Sequence, residues 1–249
     1  RSGNYGGDNV EVVDGVTLTL DADFGLTNDD RSNRCFNKRG NGTFVLNSDN
    51  GFVNDGGFWI RVMAGTLIAN NTSGSMCGEG RVIVQNGATL GGTGLFSPET
   101  DDGGNDQWIV NESGGTIAPG ESTGTLTFDL SRTAAGCTNE PGASFLFELQ
   151  SQADHDVLAF TDDGAPVDAW AADVFFNTNT VDFVDLSGGE LESGDYTLFT
   201  FDGDTTYSGE CVVGTGLEAY EDVTLTHNAD SSIVLSLVNP PRGSLFIVR

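Results

Sequence analysis

Four cysteines, Cys35, Cys77, Cys137 and Cys211, carry the most chemistry this 249-residue sequence can offer. Their spacing is wide and irregular. With no C-x-x-C pair and two histidines in the whole chain, they do not make a zinc set. An even number of cysteines in a lysine-poor chain rich in Asn, Gly and Thr points instead to two disulfides and an oxidising compartment. Four cysteines allow three pairings. Chain order favours Cys35–Cys77 and Cys137–Cys211, one staple in each half.

Carboxylates are the second resource. The run Asp101-Asp-Gly-Gly-Asn-Asp106 gathers hard oxygen ligands among glycines, so Asp101, Asp102 and Asp106 form the candidate Ca²⁺ site, although EF-hand spacing is missing. No other cofactor is expected. Asp154-His155-Asp156 has the composition of a catalytic cluster, but no nucleophile motif such as G-x-S-x-G accompanies it, and it reads as a turn entering a strand. A polysaccharide lyase would need a base to take a proton α to a uronate carboxylate, commonly beside Ca²⁺. Lys38 is the single lysine, clustered with Arg31, Arg34 and Arg39 around Cys35; a solvated basic loop is the plainer meaning. A hydrolase would need two carboxylates at fixed separation, and with 37 acids such pairs carry no information. The expectation is that the protein is not an enzyme. Asn41, Asn70, Asn71 and Asn111 each open an Asn-x-Ser/Thr glycosylation pattern, which stays idle in most bacterial proteins.

The elements that must carry these residues are short β runs between turn signals. Val16–Leu20, Thr43–Leu46, Trp59–Val62, Arg81–Val84 and Phe145–Leu149 are examples, many alternating polar with apolar side chains, and no window sustains a 3.6-residue apolar period. A net charge of −27 offers no footprint for nucleic acid or anionic lipid, and no apolar run is long enough for membrane insertion by a helix. A phrase resembling Gly-x-Thr-Leu recurs at Gly15, Gly42, Gly65, Gly87, Gly115 and Gly124. The first four intervals run in the twenties of residues, the length of one solenoid coil that buries its apolar face by stacking on the next. A Greek-key sandwich would not explain the repeated phrase.

The most specific stretch runs Gly65-Thr-Leu-Ile-Ala-Asn-Asn-Thr-Ser-Gly-Ser75, Gly80-Arg-Val-Ile-Val84, Asn86-Gly-Ala-Thr-Leu-Gly-Gly-Thr-Gly94, Gly115-Thr-Ile-Ala-Pro-Gly120 and Gly124-Thr-Leu-Thr127. It resembles the passenger-associated repeat of bacterial autotransporters, strongly over about 40–130 and more weakly over 143–238. The resemblance implies an all-β, right-handed parallel β-helix, exposed at or beyond the bacterial surface, with no common catalytic residue. Two departures, the lack of a following outer-membrane barrel and the presence of cysteines, favour a free-standing secreted protein.

Three segments follow: β-helix coils over 1–142, a β-rich continuation over 143–239, and an apolar strand over 240–249. In the last, Pro240-Pro241 breaks the chain before Leu245, Phe246, Ile247 and Val248, a β-forming run that needs a sheet edge. The expected function is an extracellular structural protein, a homo-polymer forming a filament or surface layer through β-edge contacts and this strand. The alternatives are a monomeric surface adhesin binding glycan or host protein, with Trp59, Trp108 and Trp170 as platforms, and a polysaccharide-active enzyme.

Overall fold

A computed structural model describes residues 8–21, 35–47, 59–77, 80–98, 109–131, 136–162, 173–229 and 231–239. The described chain is all-β, its strands laid in three sheets that are parallel except at β15, β22 and β23. The first sheet runs β1 (Asp8–Glu11), β3 (Cys35–Arg39), β5 (Trp59–Val62), β7 (Val82–Val84), β10 (Ile109–Asn111), β13 (Cys137–Asn139), β17 (Asp173–Phe175) and β20 (Thr206–Ser208). The second runs β2 (Thr17–Leu20), β4 (Thr43–Leu46), β6 (Gly65–Ala69), β8 (Ala88–Gly92), β11 (Thr116–Pro119), β14 (Ser144–Ser151), β18 (Asn179–Asp185) and β21 (Cys211–Val213), with β15 (Asp154–His155) folded back on β14. The third runs β9 (Leu95–Phe96), β12 (Thr125–Asp129), β16 (Val157–Thr161), β19 (Gly194–Phe201), β23 (Ser232–Val238) and β22 (Glu221–Asn228). Strands on either side of residue 142 belong to the same sheets.

The chain visits the sheets in turn, and each round adds a strand beside that of the round before. In the second sheet the register aligns Thr17, Thr43, Thr66, Thr89 and Thr116, followed by Ser144 and Thr180. One residue on, Leu18, Phe44, Leu67, Leu90, Ile117 and Phe145 form the adjoining column. The repeated phrase is therefore one strand written once per round: the hydroxyl stays on the half-exposed face and the next side chain enters the core. Gly124-Thr-Leu126 is the exception. It lies in the third sheet, where Thr125 pairs with Val157.

Two glycines of the phrase are demanded for different reasons. Gly65 has φ +63, a region strained for side chains, and a Cβ there would also lie 2.5 Å from the carbonyl oxygens of Gly40 and Gly42. Gly42 has no unusual φ, but a Cβ would come 2.2 Å from Val13 O.

One apolar cluster runs the length of the stack, walled by all three sheets. In the third sheet Phe96, Phe128, Phe160 and Phe201 stand in register, with successive ring centroids 5.8, 5.7 and 5.3 Å apart. Each such ring, fully buried, contributes roughly 2–3 kcal/mol. Buried polar groups sit at the bends. The ammonium of Lys38 donates to Gly40 O and Ala64 O, both at 2.8 Å, and to Arg39 O at 3.2 Å. Asn71 accepts from Leu95 N at 2.9 Å and donates to Gly74 O at 2.6 Å, tying one round to the next. Asn179 donates to Glu140 O and Ala143 O at 2.9 and 3.0 Å in the same way.

Candidate functional site

A stack of parallel rounds leaves a row of backbone groups unpaired at each end. The two ends are built differently.

At the N-terminal end, β1 and β2 are each paired on one side among the described strands. Thr17-Leu-Thr-Leu20 carries no charge and no proline along its edge. Leu18 points into the interior column, yet it is 46% exposed, where Phe44 and Leu67 below it are 2% and 0%. Val13 and Val16, in the bend between β1 and β2, are exposed as well. Glu11, Asp14 and Asp21 are the exposed acids around this patch.

At the C-terminal end the chain reverses. β23 pairs antiparallel with β19, and β22 pairs antiparallel with β23. Ile233, Leu235 and Leu237 of β23 are buried, while Val223 and Leu225 of β22 pack half-buried against the same core. Tyr207 stacks on Phe201 at 4.4 Å and meets the His227 ring at 6.1 Å. Leu217 is buried, and the Tyr220 hydroxyl donates to Asp185 at 2.5 Å while accepting from Leu191 N at 2.9 Å. His227 Nε2 lies 3.4 Å from Cys211 N and 3.3 Å from Cys211 O, so β22 reaches over β21. The outermost strand is blunted by Glu221 and Asp222, by a register shift between Glu221 and Thr224, and by a positive φ at Asp222.

The cysteines correct the sequence reading: Cys35, Cys77, Cys137 and Cys211 are buried thiols, none of them in a disulfide. Cys137 lies in β13, and two strand steps, β13 to β17 to β20, separate it from the round that carries Cys211. At about 4.8 Å a step, that exceeds the ~7 Å limit for a disulfide. Cys77 belongs to the interior cluster, whereas Cys35 lies outside that cluster, beside Trp59 and near Arg61. Burial pushes the thiols of Cys77 and Cys137 up to about 12 and that of Cys211 higher still, so none is a thiolate nucleophile. An aromatic-disulfide reagent should titrate four thiols per unfolded chain and none in the native protein; two disulfides would leave none in either state.

The remaining candidates fall apart as a site. Lys38 is fully buried on its three carbonyls, out of reach of any substrate. Trp59 has the guanidinium carbons of Arg61 and Arg81 over its ring, at 4.8 and 4.7 Å, which takes it away as a platform. Asp154 is exposed and His155 packs edge-on to Tyr196 at 5.5 Å, while Asp156 is fully buried. Asp156 accepts the backbone N–H of Gly124 at 2.9 Å and of Glu148 at 2.7 Å, clamping the third sheet to the second. Desolvation raises its pKa to about 7. Asn71 and Asn111 are buried and bonded to backbone, so those two glycosylation patterns are structural asparagines. Among the described residues no cluster of His, Cys, Asp and Glu could hold a metal ion, and no helix is long and apolar enough to cross a membrane. Asp101, Asp102, Asp106, Trp108, Trp170, Arg31, Arg34 and Leu245–Val248 lie outside the described residues.

The uneven ends were not legible beforehand. Leu18 carries the same phrase as Leu67, and only its place in the first round exposes it. No family model matches the chain. No curated protein matches it either.

Proposed function

We propose that this chain is an extracellular, non-enzymatic structural protein whose copies stack end to end into a filament or surface layer. In this reading the three sheets wind as a right-handed parallel β-helix related to the autotransporter passenger repeat, and the C-terminal strand takes part in the contact. The observation that carries it is the unequal pair of ends: one covered by the β22–β23 hairpin, the other leaving the inward Leu18 46% exposed above a continuous core. Unlike faces that meet without closing a ring give open filaments. A net charge of −27 per chain opposes such stacking and keeps filaments from bundling sideways.

The native mass tests this. Light scattering should show particles well above 26.1 kDa, growing with protein concentration and with salt from about 10 mM to 150 mM, as the screening length falls from ~30 Å to ~8 Å. A mass fixed at 26.1 kDa across both ranges overturns the proposal.

A further inference from the structure

The registers of the second sheet supply a template for its strands. Each of β2, β4, β6, β11 and β14 carries, at or one residue after its start, a hydroxyl residue one or two positions after a glycine, followed by an inward apolar residue: Gly42-Thr-Phe-Val-Leu46, Gly65-Thr-Leu-Ile-Ala69, Gly142-Ala-Ser-Phe-Leu-Phe147. The segment Gly243-Ser-Leu-Phe-Ile247 repeats this template, with Ser244 in the hydroxyl position and Leu245 and Ile247 in the inward ones. We infer that Gly243–Val248 is a strand of the second sheet supplied to another molecule, docking on the edge of β2 that is unpaired among the described strands, with Leu245 over Leu18 and Ile247 over Leu20.

Reach excludes the same edge of its own molecule. The described chain stops at Asn239, whose N–H is bonded to Ser193 Oγ beside the start of β19. β19 belongs to the round of β18, and the order β2-β4-β6-β8-β11-β14-β18 places six strand steps between that round and β2. Six steps span roughly 29 Å. Pro240–Gly243, the four residues before the hydroxyl position Ser244, extend to at most ~14 Å.

Charge agrees. The last acid in the sequence is Asp230, and Arg242 and Arg249 flank the docking strand, so this segment is cationic in a chain of net −27. The β2 edge is ringed by the exposed acids Glu11, Asp14 and Asp21. The competing edges are defended. β22 presents Glu221, Asp222 and an irregular register, and β21 is three residues long with His227 Nε2 set against the Cys211 backbone, where it either accepts from the N–H or donates to the C=O. β1, the other outermost strand at this end, carries Asp8 and Glu11, whereas β2 carries no charge.

This inference rests on the assembly reading and is separable from it by mixing two variants. Leu18→Asp destroys the acceptor edge and keeps the donor strand; Leu245→Asp does the reverse. Each alone should be a monomer of 26.1 kDa with an unchanged β-type circular dichroism spectrum. Mixed one to one, they should form a dimer of about twice 26.1 kDa and nothing larger, because each pair has one working donor and one working acceptor. A mixture that stays monomeric, or Leu245→Asp protein that assembles like the unaltered chain, overturns the donor–acceptor pairing while leaving end-to-end assembly standing. An unaltered chain that never exceeds 26.1 kDa removes both. Should Leu18→Asp fail to fold, a synthetic Arg242–Arg249 peptide in tenfold excess serves instead. It should shorten existing assemblies towards monomer, and assemblies that keep their mass overturn the inference.

Discussion

At the C-terminal end the β22–β23 hairpin, Leu217, Tyr207 and Tyr220 close over the interior, whereas at the N-terminal end Leu18 stands half exposed above the same column of side chains. Both ends finish sheets built on one plan, so the strands are not what differs. The difference is whether the chain reverses direction. Antiparallel return of β23 along β19 lets the hairpin continue the apolar face of the third sheet while its outer edge carries acids and a bulge. Nothing of that kind covers β2 among the described strands. A stack of parallel strands can thus be covered by a hairpin at one end and keep an exposed inward side chain at the other without altering its repeat.

The comparison can be broken most sharply by truncating the same column at two heights. Leu67→Ala should lose about 2–5 kcal/mol in denaturant unfolding, because a fully buried side chain leaves a cavity in a packed stack. Leu18→Ala, read on the monomer at low salt, should lose under ~1 kcal/mol, since water already reaches that side chain. Equal losses would mean that the first round is as well covered as the third.

Asp156 sets the middle of the stack apart from both ends. Its folded pKa of about 7 lies above that of an unfolded carboxylate, so the folded state binds the extra proton. Its contribution to stability is present below about pH 4 and is lost as pH rises to about 7, on the order of a few kcal/mol over that window. Asp156→Asn should flatten this part of the stability–pH curve, measured as the difference between the two proteins at each pH. An unchanged difference from pH 4 to 7 would show that Asp156 titrates normally.

At the closed end, Tyr220→Phe should cost about 1–3 kcal/mol, because Leu191 N loses its acceptor and Asp185 a donor. No loss would mean that the cap is held by apolar packing alone. The smallest effect sharpens the contrast directly. Amide exchange at β1 and β2 should be faster than at β22 and β23 in the monomer, and slower exchange at β2 on assembly would place the contact there.

Much of this architecture was readable from residue patterns. The Gly-x-Thr-Leu phrase announced strands stacked in register, because only identical placement in successive rounds rewards the same hydroxyl and the same apolar residue every time. Gly124-Thr-Leu126 shows the limit: a four-residue phrase cannot say which sheet it joins, and the partner Val157 decides that. The cysteines show another, since counting them gives no distance, and the stack holds Cys137 and Cys211 two strand steps apart as free thiols. Lys38 and Asn71, which looked like solvated loop chemistry, turned inward because bends between sheets leave carbonyls and N–H groups that must be bonded where water is excluded.

By itself, the sequence determined the strands, their repeat, the acidic exterior and the want of a nucleophile motif, all of which depend on residue type and local spacing. Tertiary structure alone decided which cysteines stay apart, that Asp156 is buried between two sheets, and that a hairpin covers one end of the described stack while Leu18 stays exposed at the other. Those are matters of which round lies beside which, and no local pattern encodes a neighbour six strand steps away.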